Sequence, residues 1–234
     1  MRAKAPVALA CVVALAWAWL LAGAGVGMEA MDMGGGGMML MRPEWTVGYA
    51  ARVFGMWIVM MAAMMLPGAG PAIAGAASPV FFSAGYLSIW GGFSLAAALA
   101  QFTLDRSDLL SDAMAVNSGA LAGALIVATG LYQLTPWKRA CLRGCATAAA
   151  SQDRIPGGLE SARRGLQFGV SCLGCCWALM ALLFVAGVMN LLWVAAIALW
   201  VSAEKLLPRG GSIARLAGAG LIAWGSVRLA LAVL

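Results

Sequence analysis

Histidine is absent from the 234 residues. That removes bis-histidine haem ligation, histidine-based zinc sites and imidazole general bases. Charge is scarce as well: Asp, Glu, Lys and Arg together make up 10% of the chain, against about a quarter in ordinary soluble domains. With 63% hydrophobic residues, such a chain cannot shield its apolar surface from water, so lipid is its expected solvent. A P-loop, a Rossmann glycine fingerprint and a nucleophile–base pair are also missing, so no enzymatic activity is expected from these residues.

What is present is a series of apolar runs separated by Gly, Pro and charge. They predict an all-α fold, a single transmembrane helical domain over residues 1–234 that crosses the bilayer several times. Seven spans are expected, at roughly 6–26, 50–70, 79–103, 115–135, 165–187, 190–207 and 213–233, each near the ~20 residues a crossing needs. The first has a signal-peptide character, with Arg2 and Lys4 before an apolar core and the small residues AGAGVG after it. Its length and its Trp17 and Trp19 favour a retained helix; six spans remain if it is cleaved. The sixth run ends at Glu204 and Lys205, where Lys205 is expected to snorkel to the interface.

The net charge of +6 is not a nucleic-acid signature, because the basic residues fall between apolar runs instead of along one face. Lys138, Arg139, Arg143, Arg154, Arg163 and Arg164 gather in a basic loop, 136–164, and Lys205, Arg209 and Arg215 follow on the same side. The positive-inside rule makes that side cytoplasmic, with the N-terminus inside and the 27–48 loop periplasmic. The expected location is a bacterial inner membrane. Gly119 with Gly123 and Gly165 with Gly169 carry small-xxx-small spacing for close helix packing.

Soft ligands cluster in four places. The 27–48 loop surrounds four glycines with methionines, among them Met31 and Met33, whose thioethers bind Cu(I) even where thiols would oxidise. In the second span Met60 and Met64 form one helical row and Met61 and Met65 its neighbour, just before Pro67 and Pro71, which are expected to interrupt the helix. In the fifth span Cys172 and Cys176 share a face and Cys175 lies beside them. Three thiols on about one turn are unusual where Leu or Ala would pack as well. In the basic loop Cys141 and Cys145 stand four apart in a short helix opened by Pro136, among cations that favour the thiolate. The bland alternative is methionine and cysteine acting as ordinary packing residues.

At these residues the chain resembles a bacterial family of predicted metal-binding integral membrane proteins, a domain of unknown function. The resemblance rests on W-x-x-M-M-x-A-M-M-x-P from Trp57 to Pro67, Y-Q-x-T-P-x-K-x-x-C-L-x-x-C from Tyr132 to Cys145, and C-x-G-C-C-W-x-L-M from Cys172 to Met180. G-x-M-N-L at Gly187 to Leu191 and the Glu204-Lys205 pair complete it. One departure is the alanine-rich stretch after Cys145, where the family pattern leads one to expect a proline. The resemblance implies metal binding within a membrane.

The expected function is therefore binding or transfer of a soft metal ion, best matched by Cu(I), with a metal chaperone or metalloenzyme as partner and the lipid bilayer as surroundings. The candidate ligands are Cys172, Cys175, Cys176, Met60, Met61, Met64, Met65, Cys141, Cys145, Met31 and Met33. The rival readings are a membrane thiol–disulfide oxidoreductase using Cys172 and Cys175, and a structural assembly subunit. The topology is checked by reporter fusions at Ser151 and Gly36, which should give opposite signals; identical signals would mean that the span count is wrong.

Overall fold

The computed structural model describes residues 4–23, 29–32, 38–41, 44–111, 114–150 and 157–233. In chain order these form α1 (Lys4–Leu21), a ribbon of β1 (Glu29–Asp32) and β2 (Met38–Met41), α2 (Val47–Gly75), α3 (Pro79–Arg106), α4 (Gly119–Leu134), α5 (Pro136–Ala150), α6 (Gly158–Ala181), α7 (Leu183–Ala186), α8 (Leu191–Leu206) and α9 (Gly210–Val233). The bundle is helical as expected, and the ribbon is an addition: its strands pair antiparallel, with Met31 opposite Met39.

The seven-span expectation is not met in full. Among the described residues four helices are long and apolar enough to cross a membrane: α2, α3, α6 continued through α7, and α9. The expected fourth span is α4, which bends by 62° into α5; the pair makes a fifth crossing if counted as one. The first and sixth expected spans are short: α1 is apolar but below crossing length, and α8 has 16 residues, about 24 Å at 1.5 Å per residue. The bundle's outer surface is nonetheless apolar, with Leu192, Val80, Leu216 and Leu199 each more than 70% exposed. Nothing in water compensates such a surface.

Local chemistry sets the element boundaries. Thr46 and Ser118 accept backbone N–H bonds from Tyr49 and Leu121 and so cap α2 and α4. Thr135 caps α5 through Lys138 N, and Pro136 opens that helix at a position where its missing N–H costs nothing. The G-x-M-N-L motif is a turn between α7 and α8: Gly187 has φ +91°, and Asn190 caps α8 through Trp193 N. Pro67 and Pro71 lie inside α2, which runs through them as one helix instead of breaking.

Two glycine seams hold the outer helices. α3 and α6 run side by side in the same direction so closely that a Cβ on Gly165 would collide with the Phe82 carbonyl, and one on Gly85 with that of Ala162. α4 and α9 cross antiparallel, with Gly123 against Leu229 and Gly130 against Gly218 and Ile222. α2 fills the centre: Val53, Trp57, Met60, Met61, Met64 and Met65 are all fully buried.

One ion pair ties α5 to α8. Lys138 Nζ lies 2.5 Å from Glu204 Oε2, both side chains almost wholly buried. Gln133 Nε2 and Trp200 Nε1 donate to Glu204 Oε1 at 3.2 and 2.7 Å, so both oxygens of the carboxylate are engaged. The expected position of the Glu204-Lys205 pair at a solvated helix end is therefore wrong. Removing one partner of such a pair strands a buried charge and typically costs about 3–5 kcal/mol, whereas replacing both by apolar residues is often neutral. Glu204→Leu should lower the unfolding midpoint of the purified protein sharply, and Lys138→Met with Glu204→Leu should recover most of the loss.

Candidate metal centre

The four thiols at the heart of the bundle come from two helices. Cys172, Cys175 and Cys176 lie on the inward stripe of α6, and Cys145 reaches them from α5; each is at most 4% exposed. Cys145 lies close to the Cys172 and Cys175 thiols, and Cys176 lies close to both of those. Cys176 Sγ also donates to the Cys172 carbonyl at 2.8 Å, and Cys175 Sγ to the same oxygen at 3.1 Å. Such i→i−3 and i→i−4 bonds fold the thiols back onto α6, the usual resting place of a helical thiol without another partner.

α2 contributes one sulfur directly: Met65 Sδ lies 3.9 Å from Cys176 Sγ. Tyr86 of α3 sits beneath, its hydroxyl donating to the Met65 carbonyl at 3.2 Å and meeting Cys172 Sγ at 3.1 Å. Lys205 of α8 completes the group, its Nζ 2.9 Å from Cys172 Sγ and 3.9 Å from Met65 Sδ. The lysine expected to snorkel outward instead points in. Gly68 makes room for it, since a Cβ there would stand 3.2 Å from Lys205 Cδ.

The sequence-derived candidates divide accordingly. Cys145, Cys172, Cys175, Cys176 and Met65 come together. Cys141 stays at the rim, half-buried, its sulfur over the bare backbone of Gly174; a Cβ at Gly174 would lie 2.7 Å from it. Tyr132 donates to the Gly174 carbonyl and stacks edge-on against Trp177, pinning α4 to the same turn. Met60, Met61 and Met64 are buried in the same helix as Met65, and among the described residues no hydrogen bond joins their sulfurs to the thiols. Met31 lies in the ribbon before α2, whose first residue is about 27 Å along the helix from Met65. Met33 falls outside the described residues.

The cations expected to activate the thiols are also reassigned. Lys138 is spent on Glu204, and Arg139 and Arg143 are exposed on α5, so the positive charge beside the sulfurs is that of Lys205. Sequence spacing identified the thiols but not Lys205 or Tyr86, because nothing local marks a residue that meets its partner from another helix. The one available signal was the Glu-Lys pair standing at the end of an apolar run.

Chemically this is a soft, dry site: four thiols, a thioether, a phenol and an ammonium. No three Cys, Asp or Glu side chains among the described residues already surround one point as an ion site. A monovalent soft cation would need the Cys175 and Cys176 sulfurs to turn off the Cys172 carbonyl, a side-chain rotation of the kind a helix surface permits.

Comparison with known proteins adds one finding. A family model described as PpoB2, copper chaperone, matches residues 54–228, which contain every member of the thiol group. No curated protein and no solved structure shows a significant match.

The burial pattern has a direct test. Alkylation of the folded, reduced protein should add at most two labels, at Cys11 and Cys141, while Cys145, Cys172, Cys175 and Cys176 react only after denaturation. Mass spectrometry before and after unfolding reads the difference; early labelling of the four would show that the cluster is open.

Proposed function

We propose that this chain, which belongs to the PpoB2 copper-chaperone family, holds and passes on Cu(I) inside a bacterial inner membrane through Cys145, Cys172, Cys175, Cys176 and Met65. The observation that carries the reading is the convergence of four buried thiols and one thioether from α2, α5 and α6. Sulfur donors select Cu(I) over the harder divalent ions, and the chain has no histidine to offer those ions. Four apolar helices of crossing length and an apolar outer face support the membrane setting.

Charge explains why a lysine belongs there. Cu(I) held by two thiolates carries one net negative charge, which is expensive inside a low-dielectric bundle. The Lys205 ammonium, already beside Cys172, cancels it, so the loaded site is neutral. Before loading, the same ammonium stabilises whatever negative charge Cys172 carries. Tyr86 keeps Met65 in line through its carbonyl and sets its hydroxyl against that sulfur.

Delivery needs a thiol-bearing or thioether-bearing acceptor, because copper leaves a sulfur site by exchanging one sulfur for another. The chain therefore works with metal-handling partners, either donor or recipient. No nucleotide-binding motif lies within these 234 residues, so the direction of transfer is set by the relative affinities of the two partners.

Ligand roles separate by substitution. Ser at positions 145, 172, 175 and 176 together should abolish stoichiometric copper in protein purified under reductant, while the helical content stays unchanged. Met65→Leu roughly conserves volume and should cost under about 1.5 kcal/mol of stability, yet weaken copper binding. Met60→Leu with Met64→Leu should leave affinity near that of the wild type. Wild-type copper content in the four-serine variant would sink the site, and a disulfide between Cys172 and Cys175 that turns over with a thiol substrate would favour the oxidoreductase reading.

A further inference from the structure

Beside the thiol cluster, at the end of the bundle where α5 meets the α8–α9 turn, lies a cavity of about 680 Å³. Arg139, Leu142, Arg143 and Ala146 form one wall, and Lys205, Leu207 and Gly211 help form the others. Its volume falls in the range of small-molecule sites. Its unpaired charge is positive. Arg139 and Arg143 stand four apart on α5 and have no acidic partner among the described residues. Glu204 also lines the cavity, but both its oxygens are engaged by Lys138, Gln133 and Trp200.

The cavity is also next to the sulfurs. Lys205 borders it with its stem and touches Cys172 Sγ with its ammonium, 2.9 Å away. Ala146 in the wall is the neighbour of Cys145. A ligand seated here would place its own sulfur near Cys145 and Cys172, the two cluster thiols adjoining residues of the cavity wall. Guanidinium pairs with carboxylates through paired N–H bonds, and two of them on one wall fit a ligand with two carboxylates.

We infer that this cavity docks a small thiol bearing carboxylates, and that copper enters or leaves the cluster as the cuprous complex of that thiol. The inference rests on the copper reading above and specifies its exchange partner. The step is a ligand exchange without change of oxidation state. A bond forms between Cu(I) and Cys145 or Cys172, the bond between Cu(I) and the carrier sulfur breaks, and the proton of the protein thiol passes to the departing carrier. Arg139 and Arg143 bind the carboxylates and take no part in the exchange itself.

The test uses the full chain in discs of zwitterionic lipid, loaded from either of two donors. Glutathione, with two carboxylates, serves as the anionic carrier, and dithiothreitol, with none, as the neutral one. Loading from Cu(I)–glutathione should be about tenfold slower in Arg139→Gln with Arg143→Gln than in the wild type, a difference that high salt should erase. Loading from Cu(I)–dithiothreitol should be the same in both proteins. Equal loading of both proteins from glutathione overturns the docking site and leaves the copper reading intact. Failure of the wild type to take copper from either donor overturns the copper reading, and this inference with it. A third arm adds phosphatidylglycerol to the discs: if it removes the glutathione advantage of the wild type, the cavity is a lipid headgroup site and the inference falls.

Discussion

The pairing of Lys138 with Glu204 governs where the buried sulfurs can be. α5 is the most polar helix of the bundle, rich in arginine and alanine, and its sequence would suit a solvated segment. What draws it against α6 and α8 is a 2.5 Å ion pair whose members are too deeply buried to separate cheaply. Once Lys138 is fixed on α8, the following turns of α5 run across the inner face of α6. Cys145, two turns later, then arrives among the α6 thiols. The bond that sets the position of Cys145 is thus made seven residues before it in sequence, and to a third helix.

Successive residues of α8 do opposite work. Glu204 turns toward α4 and α5, and Lys205, about 100° further round the helix, turns toward α2 and α6. One charge is used to assemble the walls and the other to electrify the site. Both are held by partners on other helices, which is why a pair of charges at the end of an apolar run does not behave as an ordinary helix terminus. The neighbouring residues accommodate this: Gly68 leaves space for the lysine stem, and Gln133 and Trp200 complete the coordination of the carboxylate.

Much of this was legible in the sequence, but unevenly. The helical class follows from apolar runs too long for soluble strands, and the three thiols of α6 follow from helical spacing alone. Gly165 reads correctly as a packing residue because a small-xxx-small pattern carries its meaning locally. Spacing shows which methionines of α2 share a face, but not which of them stands beside the thiols; Met65 does, 3.9 Å from Cys176 Sγ. The orientation of Lys205 and the role of Tyr86 were invisible, since each depends on contacts 33 and 86 residues away. The fourth span was overestimated at its start, expected near 115 but opened only at Gly119 by the Ser118 cap. There the turn chemistry outweighs hydropathy.

The glycine seam between α3 and α6 has a mechanical consequence. With the Phe82 and Ala162 carbonyls seated against Gly165 and Gly85, the two helices mesh backbone to backbone and leave α6 no slack to roll or slide. Three of the four thiols therefore ride on a fixed rail. The fourth comes from α5, which meets α4 at a bend and α8 through the Lys138–Glu204 pair, so the four sulfurs sit where two separately anchored helices meet.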